Sequence, residues 1–144
     1  MLLERHGCVP IENPSGKIIA RDLRRLKVCG RTDYAVITHS NGSFMQVGGG
    51  RAGCVLEWWD SADGHFFRAS TLRPSLRTEN NIVLVLRCRR DILVDHDEWF
   101  DIESVIRAFV IFREQAVGTE EFRWKDMDLV DPATRKFSLL PNRW

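Results

Sequence analysis

The chain has 144 residues, 44% of them hydrophobic and 28% charged. That balance excludes disorder and low complexity and predicts one domain over residues 1–144 with a core of its own. Lys and Arg number 21 against 20 Asp and Glu, a near-neutral total that argues against a dedicated polyanion binder or polybasic membrane-surface protein, and no run of about 18 apolar residues suggests a membrane-spanning helix.

The first residues, Met1-Leu2-Leu3-Glu4-Arg5-His6-Gly7, lack the apolar stretch and small-residue cleavage site of a secretory signal, so a cytoplasmic chain is expected. Pro10, Asn13, Pro14, Ser15 and Gly16 are turn and cap formers. Ser15 is placed to cap a helix over 17–28, with Gly30 as its stop. Ile19, Leu23 and Leu26 make its inner face, and Lys17, Arg21, Arg24, Arg25 and Lys27 its outer one.

Short strands follow. The β-rich run 34–38 leads to Ser40-Asn41-Gly42, a strong hairpin signal, and 44–47 returns from it. Gly48 to Gly53 is read as a turn into a strand over 54–59, and Asp60 to Gly64 as a turn into a strand over 65–69. Successive tight turns predict an antiparallel meander. Ile82 to Leu86 is continuously apolar, which suits a strand buried on both faces near the sheet centre. Trp58 and Trp59 must point to opposite faces, and Glu57, between apolar neighbours, is expected to face outward.

Asp91, Asp95, Asp97, Glu98, Asp101 and Glu103 form an acidic stretch around the aromatic pair Trp99-Phe100. The pair reads either as a staple onto the next helix or as an anchor inside a charged rim. Asp101 is a good cap for a helix over 102–116, closed by Gly118, with Ile102, Val105, Ile106, Phe109, Phe112 and Ala116 on one stripe. Glu103 and Arg107 are spaced to pair. Arg113 falls on the stripe and is expected to snorkel; Ile111 falls opposite it and is expected under the tail residues Phe137, Leu139, Leu140 and Trp144. The run 122–129 reads as the last strand, with a bulge where its alternation slips between Trp124 and Met127. The fold class expected is α+β: an antiparallel meander sheet of about five to seven strands, a long helix on one face and a short N-terminal helix.

The chemistry-bearing residues form no recognised catalytic motif. Cys8, Cys29, Cys54 and Cys88 are more than 20 residues apart, without the close pairs of a zinc site, and read as reduced thiols. The glycines at 48–53 are not followed by the Lys-Ser/Thr of a phosphate loop, and His6, His39, His65 and His96 show no helical zinc spacing. Neither a metal nor a cofactor is expected. Two other readings stay open. His39 or His65 could join Glu57 or Cys54 as a small enzyme's pocket. The basic 17–28 segment with Arg87, Arg89 and Arg90 could form a nucleic-acid-associated module.

The order of parts is similar to a known family. Ser43-Phe44-Met45-Gln46-Val47 leads through glycines to Val55-Leu56-Glu57-Trp58, then Asp63-Gly64-His65-Phe66, the helix over 102–116, Gly118 and Phe122-Arg123-Trp124. This resembles the first-numbered immunity-protein family of bacterial polymorphic toxin systems, which include contact-dependent growth inhibition. The family's pattern falls here on Gln46, Glu57, Ala108, Phe112, Gly118 and Trp124, across residues 34–129; where it carries a proline before the tryptophan strand, this chain has Thr119-Glu120-Glu121. The resemblance implies a cytoplasmic antitoxin that performs no chemistry and blocks the active site or substrate channel of a cognate toxin C-terminal domain, such as a nuclease or deaminase, with no membrane or direct nucleic-acid partner. Nucleic-acid-acting toxins carry basic grooves, so the expected binding residues are Asp95, Asp97, Glu98, Trp99, Asp101 and Glu103, with Trp99 as anchor and with Asp97 and Glu98 open to charge reversal without harm to the fold.

Overall fold

In the computed structural model, residues 1–28, 30, 32–72, 82–86 and 90–128 are described, 82–86 and 90–93 by their strand pairing alone. The elements run β1 (Leu2–Arg5), β2 (Ile11–Glu12), α1 (Gly16–Leu23), β3 (Tyr34–Thr38), β4 (Phe44–Gly50), β5 (Gly53–Asp60), β6 (His65–Ser70), β7 (Ile82–Leu86), β8 (Arg90–Val94), a 3-10 turn (His96–Glu98), α2 (Ile102–Gln115) and β9 (Arg123–Asp126). Seven strands form one sheet in the order β2-β1-β3-β4-β5-β6-β9, antiparallel throughout. This is the expected α+β class, with β3 to β6 as the meander.

Four elements depart from the sequence reading. The N-terminal segment, read only as turns, supplies β1 and β2 and extends the sheet beyond β3. The helix over 17–28 stops at Leu23. Beyond it the Arg25 and Leu26 N–H groups bond three residues back, to Asp22 and Leu23, and this tighter winding turns Leu26 into the core. The apolar strand β7 is not central. It pairs only with β8 among the described residues, as a separate hairpin, because β9 takes the place beside β6. Finally, Gly48, Gly49 and Gly50 belong to β4, and the chain reverses at Arg51 and Ala52. A Cβ on Gly50 would stand 2.8 Å from the Val28 nitrogen, and one on Gly53 would lie inside the Trp99 ring. These glycines let other chain segments lie directly on the strands.

Both faces of the sheet are covered. On one, Leu3, Ala35, Ile37, Met45, Val47, Cys54, Leu56 and Ala69 share a core with Ile19 and Leu23 of α1 and with Val105, Ile106, Ala108, Phe109 and Phe112 of α2. On the other, Val36, Phe44, Phe66 and Met127 cluster with Tyr34 and Trp59. Trp58 and Trp59 divide between the two faces, each half-buried. Trp124 and Met127 divide likewise, so β9 needs no bulge and its register with β6 is unbroken. The apparent slip in alternation is one apolar residue turned to each face.

Ser15 and Asp101 cap the helices as expected: Ser15 Oγ accepts the Ile18 N–H at 3.3 Å, and Asp101 Oδ1 the Ser104 N–H at 2.9 Å. The α2 cap is Ala116, left-handed at φ 56°, in place of Gly118. Arg113 is half-buried; its Nε donates to the Pro14 carbonyl at 2.7 Å and joins α2 to the segment before α1. Ile111 is half-buried, and the tail expected to cover it lies outside the described residues.

Candidate partner-binding surface and the polar row beside it

Strand alternation and the observed register place five residues in one line across the face away from the helices: Val36, Gln46, Glu57, Arg68 and Lys125, directly opposed on β3, β4, β5, β6 and β9. Glu57 does not face outward as expected: it lies fully buried, on the sheet face away from the helices. Gln46 Nε2 donates to Glu57 Oε2 at 2.8 Å. Arg68 donates from Nε and Nη2 to Glu57 Oε1 at 3.0 and 2.7 Å. Burial pulls the Arg68 pKa down, but the Glu57 charge and hydrogen bond, then Glu98, outweigh it and the net shift is upward. An ion pair in such a place persists only when its donors and acceptors are matched.

The row continues into the acidic stretch. Arg68 Nη1 lies 3.5 Å from Glu98 Oε2, and Lys125 Nζ lies 2.9 Å from Glu98 Oε1, 3.3 Å from Asp97 and 3.7 Å from Asp95. Desolvation lowers the Lys125 pKa, yet the Glu98 hydrogen bond and charge, followed by Asp97, raise it overall. Glu98 Oε2 also accepts the Asp95 N–H at 3.2 Å, and the Asp97 carbonyl accepts the Thr71 N–H at 2.7 Å. The 95–98 turn is thus clasped to β6 and β9.

The six residues expected to meet a partner therefore separate. Glu98 and Asp97 are 7% and 15% exposed and spend their charge on Arg68 and Lys125, whereas Asp95 and Glu103 are 57% and 53% exposed. Charge reversal at Glu98 is consequently not neutral for the fold, because it would set a cation beside Arg68 and Lys125. Asp101 is exposed and caps α2, where the Ser104 N–H and then the Ser104 hydroxyl hold its carboxyl below the ordinary range. Glu103 does not pair with Arg107. It takes a bidentate contact from Arg24 of the α1 C-terminus at 2.8 Å, and Arg107 turns to Glu121 at 3.1 Å.

The aromatic pair also separates. Phe100 exchanges backbone hydrogen bonds with Cys54 at 2.8 and 2.9 Å and buries its ring against Phe122, 4.7 Å between centroids. Trp99 lies across the β4–β5 turn with Nε1 donating to the Ala52 carbonyl at 3.1 Å, half-buried.

The positions that carry the resemblance divide between the two faces of the sheet. Gln46 bonds Glu57; Ala108 and Phe112 are fully buried. A Cβ on Gly118 would stand 2.6 Å from the Trp124 indole and 2.8 Å from Trp58, so this glycine serves a close approach. The Trp124 Nε1 donates to the Thr119 carbonyl at 2.9 Å, so the first residue of the Thr119-Glu120-Glu121 stretch takes part in seating the tryptophan.

The residues of the enzyme reading are dispersed. His39 sits after β3, Cys54 is buried on the helix face with its thiol pushed up to about 12 by desolvation, His65 stands beside Asp126 at the start of β6, and Glu57 is on the opposite face. Cys29, Cys88, Arg87 and Arg89 lie outside the described residues, and Arg90 is placed only by its pairing with Leu86. Arg68 and Lys125 were not singled out in the sequence. Arg68 gave the same signal as Glu57: one charge amid apolar strand residues, on the neighbouring strand and of opposite sign.

No protein-family model matches the chain, and no curated protein matches it.

Proposed function

We propose that this protein is an antitoxin that binds a cognate secreted toxin domain in the cytoplasm and neutralises it by covering the active site or substrate groove, acting by binding alone. The observation that supports the reading best is the 2.8 Å hydrogen bond between Gln46 and Glu57, directly opposed on β4 and β5. The first two positions of the family resemblance are one buried unit, and Ala108, Phe112 and Trp124 belong to the core on the other face, with Gly118 against the Trp124 ring. The binding residues are Asp95, Trp99, Asp101 and Glu103, with Asp97 and Glu98 holding the segment in place. The carboxylates steer a basic groove into register and Trp99 gives the contact an apolar centre.

The test starts from the reading frame beside this gene. Its C-terminal domain, expressed in cells with and without this protein, should arrest growth only in its absence, and the two purified proteins should form a complex in calorimetry. A neighbouring domain that neither binds the protein nor is neutralised by it defeats the proposal.

A further inference from the structure

The pairing of β6 with β9 puts Phe67 directly opposite Asp126, and the two-residue repeat of a strand brings His65 to the same face. His65 Nδ1 stands 2.8 Å from Asp126 Oδ2. Just beyond β9, the Asp128 N–H donates to Asp126 Oδ1 at 2.8 Å, and Asp128 Oδ2 accepts the Phe66 N–H at 3.3 Å. One imidazole and two carboxylates therefore converge, with a ligating atom from each within 4.8 Å of the others. Phe67 stacks on the imidazole at 6.1 Å between centroids.

We propose that His65, Asp126 and Asp128 form a binding site for one divalent transition-metal ion of the zinc, nickel or cobalt class. Adjacent ligands of a tetrahedral ion with bonds of about 2.1 Å stand about 3.4 Å apart, so the 2.8 Å His65–Asp126 contact opens slightly to admit the ion. The imidazole favours first-row ions over magnesium and calcium, and the carboxylates disfavour soft monovalent copper. Two carboxylate charges balance the dication. The His65 side chain is 46% exposed, which leaves water an open side of the ion. Binding replaces the proton on Nδ1 with the metal and releases that proton to solvent. The Asp95, Asp97 and Glu98 cluster is similarly spaced, but there the Lys125 ammonium stands among the carboxylates and supplies the cation.

The test uses the full chain, stripped with chelator and titrated calorimetrically with zinc, nickel and magnesium ions. One equivalent of zinc or nickel should bind, and magnesium should not. His65→Ala and Asp128→Asn should each weaken binding roughly tenfold or more, while Asp95→Asn leaves it unchanged. Substoichiometric cobalt should broaden the Phe66 and His65 amide resonances first. Absence of zinc and nickel binding, or binding that both site variants leave intact, overturns the proposal.

Discussion

Glu57 and Arg68 face each other directly across β5 and β6, and the guanidinium sends two hydrogen bonds, of 3.0 and 2.7 Å, into one carboxylate oxygen. Both side chains are sealed from water. Glu98 and Lys125 extend this pair to the 95–98 turn, so the same charges that stabilise the far face of the sheet also fix the exposed acidic segment.

Removing one member of such a pair strands the other charge in a buried site. Glu57→Leu and Arg68→Met should each destabilise the protein by about 3–5 kcal/mol, and the double variant by much less than their sum. Urea unfolding followed by tryptophan fluorescence measures this. Additive losses would show that the two side chains are not coupled.

The neighbouring carboxylates should behave unlike one another. Asp95→Lys should keep the fold, slow association with the toxin domain and weaken its salt dependence. Glu98→Lys should lower the melting temperature before any binding can be measured. Equal stability of the two variants would contradict the buried position of Glu98.

Asp101 makes stability depend on pH in a defined direction. Its carboxyl is held low in the folded chain, so its contribution is fully present above the unfolded value of about 3.9 and fades as pH falls through the folded one. Asp101→Ala should cost about 1 kcal/mol at neutral pH, and its deficit should shrink below about pH 4. Asp101→Asn keeps an acceptor for the cap without the charge and should lose less. Denaturant midpoints across pH decide it; a pH-independent Asp101→Ala deficit argues against the charge.

Gly118→Ala tests the close approach to Trp124 and Trp58. Its Cβ would fall 2.6 and 2.8 Å from their rings, so a loss of about 1–3 kcal/mol and an altered tryptophan emission are expected. A variant with wild-type stability would mean that the indoles can give way freely.

Cys54 should be inert in the native state, because burial raises its thiol pKa to about 12 and little thiolate forms near neutrality. Peptide mapping after alkylation at pH 8 should find Cys54 unlabelled until denaturant is added. Rapid native labelling would place it nearer solvent.

Periodicity and caps are local, and they carried the helix starts at Ser15 and Asp101, the Asn41-Gly42 hairpin and the β3-to-β6 meander from sequence alone. A strand's neighbours are not local. Nothing in the residues of β7 says that β9 will take the place beside β6, and nothing in Met1-Leu2-Leu3 requires pairing with β3, because backbone hydrogen bonds are alike whichever chain segment supplies them. Burial of charge is a further property of the whole. Glu57 and Arg68 each look like a strand's solvent-facing residue; only the covering of both sheet faces, and the register that sets them opposite one another, turns them into a buried pair and divides Asp97 and Glu98 from the acidic residues left at the surface.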